Sequence, residues 1–320
     1  MSFRLRIGSR PSALALAQAN SVKERLETAL TGLTTEIIAV STTGDKLTTA
    51  SLARIGGKGL FIRELEQALS NGRIDLAVHS MKDLPAILPP QYRLAAVPLR
   101  ENPADALITR DGRGWQALRP GARLGTSSSR RHLEALRMRP DLKVESLRGN
   151  VDTRLARLAA GDFDAIILAM AGLKRLGKLD GLDFIELDER DFVPSGGQGA
   201  LALEALADGS IGGAPEIEAA IKSLNDARAL AEVTAERAFL AAIGASCISP
   251  VGVKGSLTDS SLKLRALLFS TDGSQSLDDE YTAPIALDSD LGKVTAAAAA
   301  LGVSLGQRMI DRGARELIGS

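Results

Sequence analysis

A dense basic tract runs from Arg130 to Lys143 and continues through Arg148, Arg154, Arg157, Lys174 and Arg175. The usual fate of such a tract is a solvated helix face. Its composition and placement argue for more. Arginine supplies 28 and lysine 11 of the chain's 39 basic residues, and arginine grips carboxylates and phosphates through two parallel hydrogen bonds. Arg130 and Arg131 follow Thr126, Ser127, Ser128 and Ser129 at a helix start, and Arg148 sits in Leu-Arg-Gly-Asn at a strand end before the next helix. In an α/β domain both places face the ligand cleft. Arg10, in Gly-Ser-Arg-Pro-Ser, occupies the equivalent point near the N-terminus, with Ser12 beside it. The pattern implies a cleft for an anion bearing several carboxylate or phosphate groups.

Three further features could carry chemistry. His79-Ser80-Met81-Lys82-Asp83 ends the apolar run Ile74–Val78. A Lys-Asp pair at a strand terminus is either a structural ion pair or a carboxylate set to stabilise positive charge developing in a transition state. Cys247 lies in Gly-Ala-Ser-Cys-Ile-Ser-Pro. A lone cysteine is most often inert packing, but a loop flanked by Gly and Pro can expose it as a nucleophile or attachment point. One Cys and two His give no metal-ligand spacing, and nothing local favours a Cys–His hydrolase built with His79 or His132. Gly56-Gly57-Lys58-Gly59 lacks the Ser/Thr that a phosphate loop needs after its Lys. It reads as a Gly-rich loop whose Lys58 can close over an anionic ligand.

The rest of the chain must fold around these groups. Its 320 residues suggest two or three domains. Hydrophobic residues make up 45% and charged residues 24%, which excludes a disordered or collagen-like chain. The 39 basic residues are balanced by 39 acidic ones and aromatics are 3%, against a general nucleic-acid binder. A single cysteine permits no internal disulfide and suits a reducing compartment. Charges at Arg4 and Arg6 stand where a signal peptide has its apolar core, and no apolar run reaches the ~20 residues of a membrane span. A soluble cytoplasmic protein is expected. No long apolar stripe is evident, so a monomer is expected too.

Two internal echoes organise the first two thirds. Arg6-Ile7-Gly8-Ser9 has a counterpart in Arg123-Leu124-Gly125-Thr126, and residues 72–81, from Gly-Arg-Ile-Asp, have one in residues 161–170, from Gly-Asp-Phe-Asp. Both later segments follow helical stretches, Phe61–Leu69 and Val151–Ala160. The shared order predicts two similar α/β domains with loops gathered at the C-terminal ends of parallel strands. Pro11 suits the first turn of a helix capped by Ser9 or Ser12. Breaks near Pro98–Pro103 and Pro194–Gly199 predict a double hinge, with the run Ala200–Leu206 returning to the first sheet. The last third reads as a helix over Asp226–Ile243, strands over Val251–Leu257 and Leu262–Phe269, a turn at Thr271–Gly273, and one or two closing helices. The predicted division is residues 1–97 with 198–220, residues 98–197, and a small α+β unit over 221–320 that carries the Cys247 loop.

Taken together, Gly56–Phe61, His79–Asp83, Gly125–Arg131, Ser146–Asn150, Ala171–Gly177, Gln198–Ala200, Thr234–Phe239 and the Cys247 loop resemble the porphobilinogen deaminase (hydroxymethylbilane synthase) family across nearly the whole chain. The resemblance implies two periplasmic-binding-protein-like α/β domains joined by a double hinge, plus a small α+β C-terminal domain. It implies a transferase that joins porphobilinogen units head to tail, releases ammonia at each addition, and builds a linear tetrapyrrole on a covalently bound dipyrromethane primer. Cys247 matches the thioether attachment point and Asp83 the catalytic aspartate, which also contacts the cofactor. Lys82, Ser12, Ser128, Arg130, Arg131 and Arg148 match groups that hold the cofactor. Arg10, Lys58, Arg154 and Arg175 match or fit groups that grip the acetate and propionate arms of the substrate. The chain departs from the family at Arg54, at Ala245-Ser246 before the cysteine, and at Ser195-Gly196. A two-domain solute receptor would share the duplicated units, the hinge and the anion cleft, but not the third domain with its Cys loop.

Overall fold

The computed structural model describes residues 2–42, 62–209, 211–246, 248–285 and 290–319. The Gly56–Phe61 stretch, with Lys58, and Arg54 and Cys247 fall outside the described residues.

Two five-stranded sheets share one plan. The first runs β2 (Leu33–Ala39), β1 (Phe3–Ser9), β3 (Leu76–Ser80), β10 (Leu201–Leu206), β4 (Tyr92–Ala96). The second runs β7 (Lys143–Glu145), β6 (Arg123–Gly125), β8 (Ala165–Ala169), β5 (Asp105–Thr109), β9 (Ile185–Glu186). In each, the first three strands are parallel and the fourth is antiparallel to both neighbours. The antiparallel strand is the one entered from a crossing segment, so the chain meets each sheet from the opposite direction there. The run beginning at Ala200 thus pairs within the first sheet, between β3 and β4.

The sequence echoes have a common physical cause. Asp75 accepts from the Arg6 backbone N–H at 2.8 Å, and its own N–H donates back to the Arg6 carbonyl at 2.9 Å. Asp164 repeats both bonds with Arg123, each at 2.8 Å. The residue before each Asp, Ile74 or Phe163, lies over a glycine of the neighbouring strand. A Cβ on Gly8 would stand 2.2 Å from Ile74 Cδ1, and one on Gly125 would stand 2.9 Å from Phe163 Cδ1. The Gly and the Gly-x-φ-Asp of each echo are therefore two halves of one strand-to-strand joint.

Helix α1 (Ala13–Ala29) follows β1, capped by Ser12 Oγ, which accepts from the Ala15 N–H. Pro11 precedes this cap rather than occupying the first helical turn; its ring terminates the strand, and Ser12 takes the capping role. Helix α2 (Arg63–Ser70) covers the first sheet, as α3 (Ser129–Met138), α4 (Val151–Ala159) and α5 (Met170–Arg175) serve the second. Leu5, Ile7, Leu76 and Leu203 centre one core, packed with Ile217 and Ile221 of α6 (Pro215–Ser223).

The C-terminal unit sets α7 (Ala227–Ile243) and α8 (Leu291–Ile310) against an antiparallel sheet of β11 (Val251–Leu257), β12 (Ser261–Phe269) and β13 (Ser276–Pro284), with α9 (Ala314–Ile318) closing it. Gly302 and Gly306 let the long helices approach closely: a Cβ at 302 would lie 2.3 Å from the Ala235 carbonyl oxygen. The sequence pattern predicts two strands and a turn here, and the structure adds a third strand. The third, Ser-Leu-Asp-Asp-Glu-Tyr-Thr-Ala-Pro, is an exposed edge whose acidic residues weaken strand propensity. Asp278 meets Arg265 at 2.7 Å and Glu280 meets Lys263 at 3.6 Å across the ladder, which offsets that weakness.

A buried charge cluster ties this unit to the crossings. Glu236, fully buried on α7, accepts from both terminal nitrogens of Arg100 at 2.7 and 3.1 Å and from the backbone N–H groups of Gly197 and Gly255. Glu232 adds a 3.2 Å contact to Arg100. At Gly199, φ is +86° and a Cβ would stand 2.2 Å from the Glu101 carbonyl oxygen, so the two crossings touch backbone to backbone. Among the described residues, no helix is long and apolar enough to cross a membrane.

Removing one partner of a buried ion pair strands the other charge. Glu236→Ala should lower stability by roughly 3–5 kcal/mol, seen as a fall in the urea unfolding midpoint. Unfolding indistinguishable from the parent protein would show that Glu236 is not the clamp described here.

Candidate active site

A cleft of about 720 Å³ separates the two α/β units, with the crossing segment Gly197–Ala200 as its floor. Its charge is lopsided. Arg10, Lys82, Arg131, Arg148, Arg154 and Arg175 line it, against Asp83 and Asp152, and Asp152 is paired with Lys178 at 2.8 Å.

The topology brings these groups together because each follows the C-terminal end of a strand. Arg10 and Ser12 lie between β1 and α1, and Lys82 and Asp83 lie in the 3₁₀ turn Met81–Asp83 directly after β3. Arg148 precedes α4, whose cap Asn150 accepts from the Thr153 N–H at 2.8 Å. Arg154 stands on that helix, and its Nε is held by the Gly149 carbonyl at 2.9 Å. Arg175 ends α5 and reaches across to the Gly199 carbonyl at 2.6 Å.

The cations are crowded and partly dry. Burial and the Arg131 guanidinium push the Lys82 ammonium down to about 8. Burial, then Arg131 and Arg148, push Arg154 down to about 10. Burial alone lowers Arg175, against the pull of Glu101. Arg148 has no hydrogen-bond acceptor placed against it among the described residues. A cleft that holds its own cations at this disadvantage is matched to a ligand carrying several carboxylates. Asp83 is the exception. Its side chain is exposed, and its carboxylate accepts no hydrogen bond among the described residues.

The adjacent arginines divide. Arg131 lines the cleft, yet gives two bonds to Asp105 Oδ1 at 3.0 and 2.6 Å and one each to the Ile167 carbonyl and Gln198. Arg130 does not line it. Its guanidinium is 2% exposed and donates to Ser195, Glu134, the Val193 carbonyl and Asp105 at 2.7–3.0 Å. Arg130, expected from the sequence to hold the cofactor, is therefore not placed on the cleft wall by the structure. Its donors are consumed in fixing Asp105 and the 193–195 crossing, because a guanidinium at the core-facing side of α3 must be paired where it is buried. Burial opposes ionisation of Asp105, but Arg130 and Arg131 outweigh it and hold its carboxyl far below the usual range. Ser128 is the α3 N-cap, accepting from the Arg131 N–H at 3.4 Å, while its neighbour Ser127 faces the cleft.

Gln198 was not singled out by the sequence as a site residue. Its Oε1 accepts from Lys82 at 3.1 Å and Arg131 at 3.3 Å, and its Nε2 donates to Asp105 and the Pro103 carbonyl. The signal available was a Gln between two glycines at a hinge, with no indication of what it joined. Cys247 lies outside the described residues, but its flanks are placed. Ser129 Oγ donates to the Ile248 carbonyl at 2.8 Å, and Ala245 and Ser246 border a second cavity that Lys82 and Asp83 also line. No non-glycine described residue has a positive φ, so Ala245 and Ser246 fill the family's small positions without backbone strain.

The family profile described as porphobilinogen deaminase, dipyromethane cofactor binding domain, matches residues 5–211, and that of the porphobilinogen deaminase C-terminal domain matches residues 230–311. The chain belongs to the porphobilinogen deaminase family. It is 42% identical to the porphobilinogen deaminase of Syntrophotalea carbinolica over 99% of this chain and 96% of that one. It is 48% identical to that of a Roseiflexus species over 85% and 88%, and 42% identical to that of Chromobacterium violaceum over 98% and 96%. Among solved structures, the Bacillus subtilis ytmK binding protein aligns with a TM-score of 0.41 at 10% identity, covering 69% of this chain and 91% of that one. The Bordetella pertussis BvgS VFT2 domain aligns at 0.40 and 17%, covering 69% and 86%. Membership of the family sets aside the reading of a non-catalytic solute receptor.

Lys82 is charged below pH 8 and neutral above it, so its grip on an anion is present at neutral pH and lost as pH rises. Citrate should bind Cys247→Ser protein about tenfold more weakly at pH 9.5 than at pH 7 by calorimetry, the worth of one charged hydrogen bond. Lys82→Met should flatten that dependence; a Lys82→Met profile identical to the parent's would refute the role.

Proposed function

We propose that the cleft is the seat of head-to-tail porphobilinogen condensation, with Asp83 as its catalytic carboxylate and Cys247 as the anchor of the dipyrromethane. Family membership gives the reaction: an ammonia-releasing transferase that builds a linear tetrapyrrole on a dipyrromethane primer. One observation supports the residue roles above all others, an exposed carboxylate with no hydrogen-bond donor against it among the described residues, in a cleft lined mainly by crowded cations.

The donor set suits the cofactor. Each pyrrole carries an acetate and a propionate, and Lys82, Arg131, Arg148 and Ser12 would hold those of the dipyrromethane, with Arg10, Arg154 and Arg175 for the arriving unit. When bound, the dipyrromethane supplies a terminal pyrrole carbon as nucleophile. The chain's own residues do the rest. The cations cancel the carboxylates, so the pyrrole rings enter a partly dry site without an uncompensated charge. Asp83 accepts hydrogen bonds from pyrrole N–H groups and faces the positive charge that develops as the substrate's C–N bond breaks and ammonia departs with the electron pair. Asp83 would also be the carboxylate available to take up the ring proton that carbon–carbon bond formation displaces. Gln198 fixes the Lys82 head group. Arg130 and Asp105 act at one remove by holding Arg131.

The intact mass of freshly purified protein should exceed that of the polypeptide by two pyrrole units, and Cys247→Ser should abolish the increment; a bare polypeptide mass in active protein would refute the anchor. Asp83→Ala should lower kcat by about 10³-fold or more, the scale of losing a preorganised electrostatic partner. Its stability should change by no more than about 0.5 kcal/mol, because the side chain is exposed. Near-normal turnover would refute its role. Arg148→Gln should stall chain elongation, seen as altered populations of the covalent adducts by mass spectrometry.

A further inference from the structure

Lys82 and Asp83 line two cavities. The second, of about 410 Å³, lies between the segment after Asp83, the start of α2 and the end of α7. Its character is the reverse of the cleft's. Leu84, Pro85, Pro89 and Leu240 form apolar walls, and Glu66 of α2 is half-buried in it. Lys82 contributes its stem, since its Nζ is bonded to Gln198 in the cleft. Arg63, the one other cation there among the described residues, is solvent-exposed at the first turn of α2. Glu204 lies behind Glu66. It is fully buried, and although His79 Nε2 is 2.9 Å away, neither Glu204 oxygen has an aligned hydrogen bond. Burial and the Glu204 charge raise the Glu66 pKa, the mark of a carboxylate short of positive charge.

Such a cavity suits an apolar body with a cationic head. The monomer differs from the growing chain in one group, a protonated aminomethyl that the arginine-lined cleft repels. We propose that the second cavity binds this primary ammonium, with Glu66 as its counter-ion, on the opposite side of Asp83 from the carboxylate-binding cleft. The inference rests on the condensation reading above, and makes Glu66 a specificity-determining residue. Asp83 then stands between the two cavities, with the anionic arms on one side and the leaving nitrogen on the other. The same chemistry is offered by the aminomethyl group of the incoming monomer and by released ammonium.

Benzylamine is the probe, an aromatic ring with a protonated aminomethyl group, no carboxylate and no capacity to condense. It should bind the holoenzyme in calorimetry and bind Glu66→Gln about tenfold more weakly, the worth of one charged hydrogen bond. Glu66→Asp should recover part of the loss, which a packing defect would not. A raised KM for porphobilinogen with kcat within about twofold assigns the site to the incoming aminomethyl group. Loss of inhibition by ammonium chloride relative to potassium chloride, with KM unchanged, assigns it to the released ammonium. If benzylamine affinity, KM and ammonium inhibition are all unchanged in Glu66→Gln, the proposal is overturned. Should that variant not fold, Glu66→Asp decides: it must bind benzylamine more weakly than the parent, and an unchanged affinity overturns the proposal. The mass increment at Cys247 is independent of Glu66, so the two readings fail separately.

Discussion

Mutual repulsion among half-dry cations is the constraint around which the molecule is arranged. The Arg131 charge weakens the hold of Lys82 on its proton, and Arg131 and Arg148 weaken that of Arg154. Left unconstrained, such groups would separate into water, where an exposed charge costs little. Lys82 is held by Gln198, Arg154 by the Gly149 carbonyl, and Arg131 by the buried Asp105 together with the Ile167 carbonyl and Gln198. The ligand's carboxylates then relieve a repulsion that the fold already bears. Binding strength is stored in the protein as a preorganised unfavourable field.

Holding that field requires rigidity in the part of the molecule that must also flex. Two buried clusters provide it. Asp105, Arg130, Arg131 and Glu134 lock α3 to the crossings, and Arg100, Glu232, Glu236 and Lys254 lock the crossings to the C-terminal unit. Gln198 joins the first cluster to Lys82. A shift at either crossing is therefore felt at Lys82 and Arg131 together, which couples domain position to the charge of the cleft.

Much of the fold was legible because it is written in local chemistry. The alternation of apolar runs and capped helices marks α/β units, and the paired Gly and Gly-x-φ-Asp echoes mark a repeated strand joint. The return of residues 201–206 to the first sheet could be anticipated from a second Pro/Gly break. The edge strand at Ser276–Pro284 was not legible: its pattern is polar, and its stability comes from charges across the ladder and not from burial. Arg10, Ser12, Lys82, Asp83, Arg131, Arg148, Arg154 and Arg175 meet in one cleft because each follows a parallel strand's C-terminal end. Arg130 and Arg131 part company, since two adjacent arginines on a helix look alike in sequence while their side chains leave it about 100° apart.

By itself, the sequence determined which chemistry is possible: arginine-rich recognition of carboxylates, a carboxylate at a strand terminus, a lone cysteine in a small-residue loop, and a duplicated α/β plan. These follow from residue types and short spacings, where the physics is local. The tertiary structure decided which charges are spent on the protein and which remain for a ligand. Arg130 and Arg100 are consumed by buried carboxylates, Arg148 and Asp83 are not, and Glu66 faces a separate cavity. That allocation depends on burial and on partners up to 136 residues away in the chain, and no local pattern encodes either.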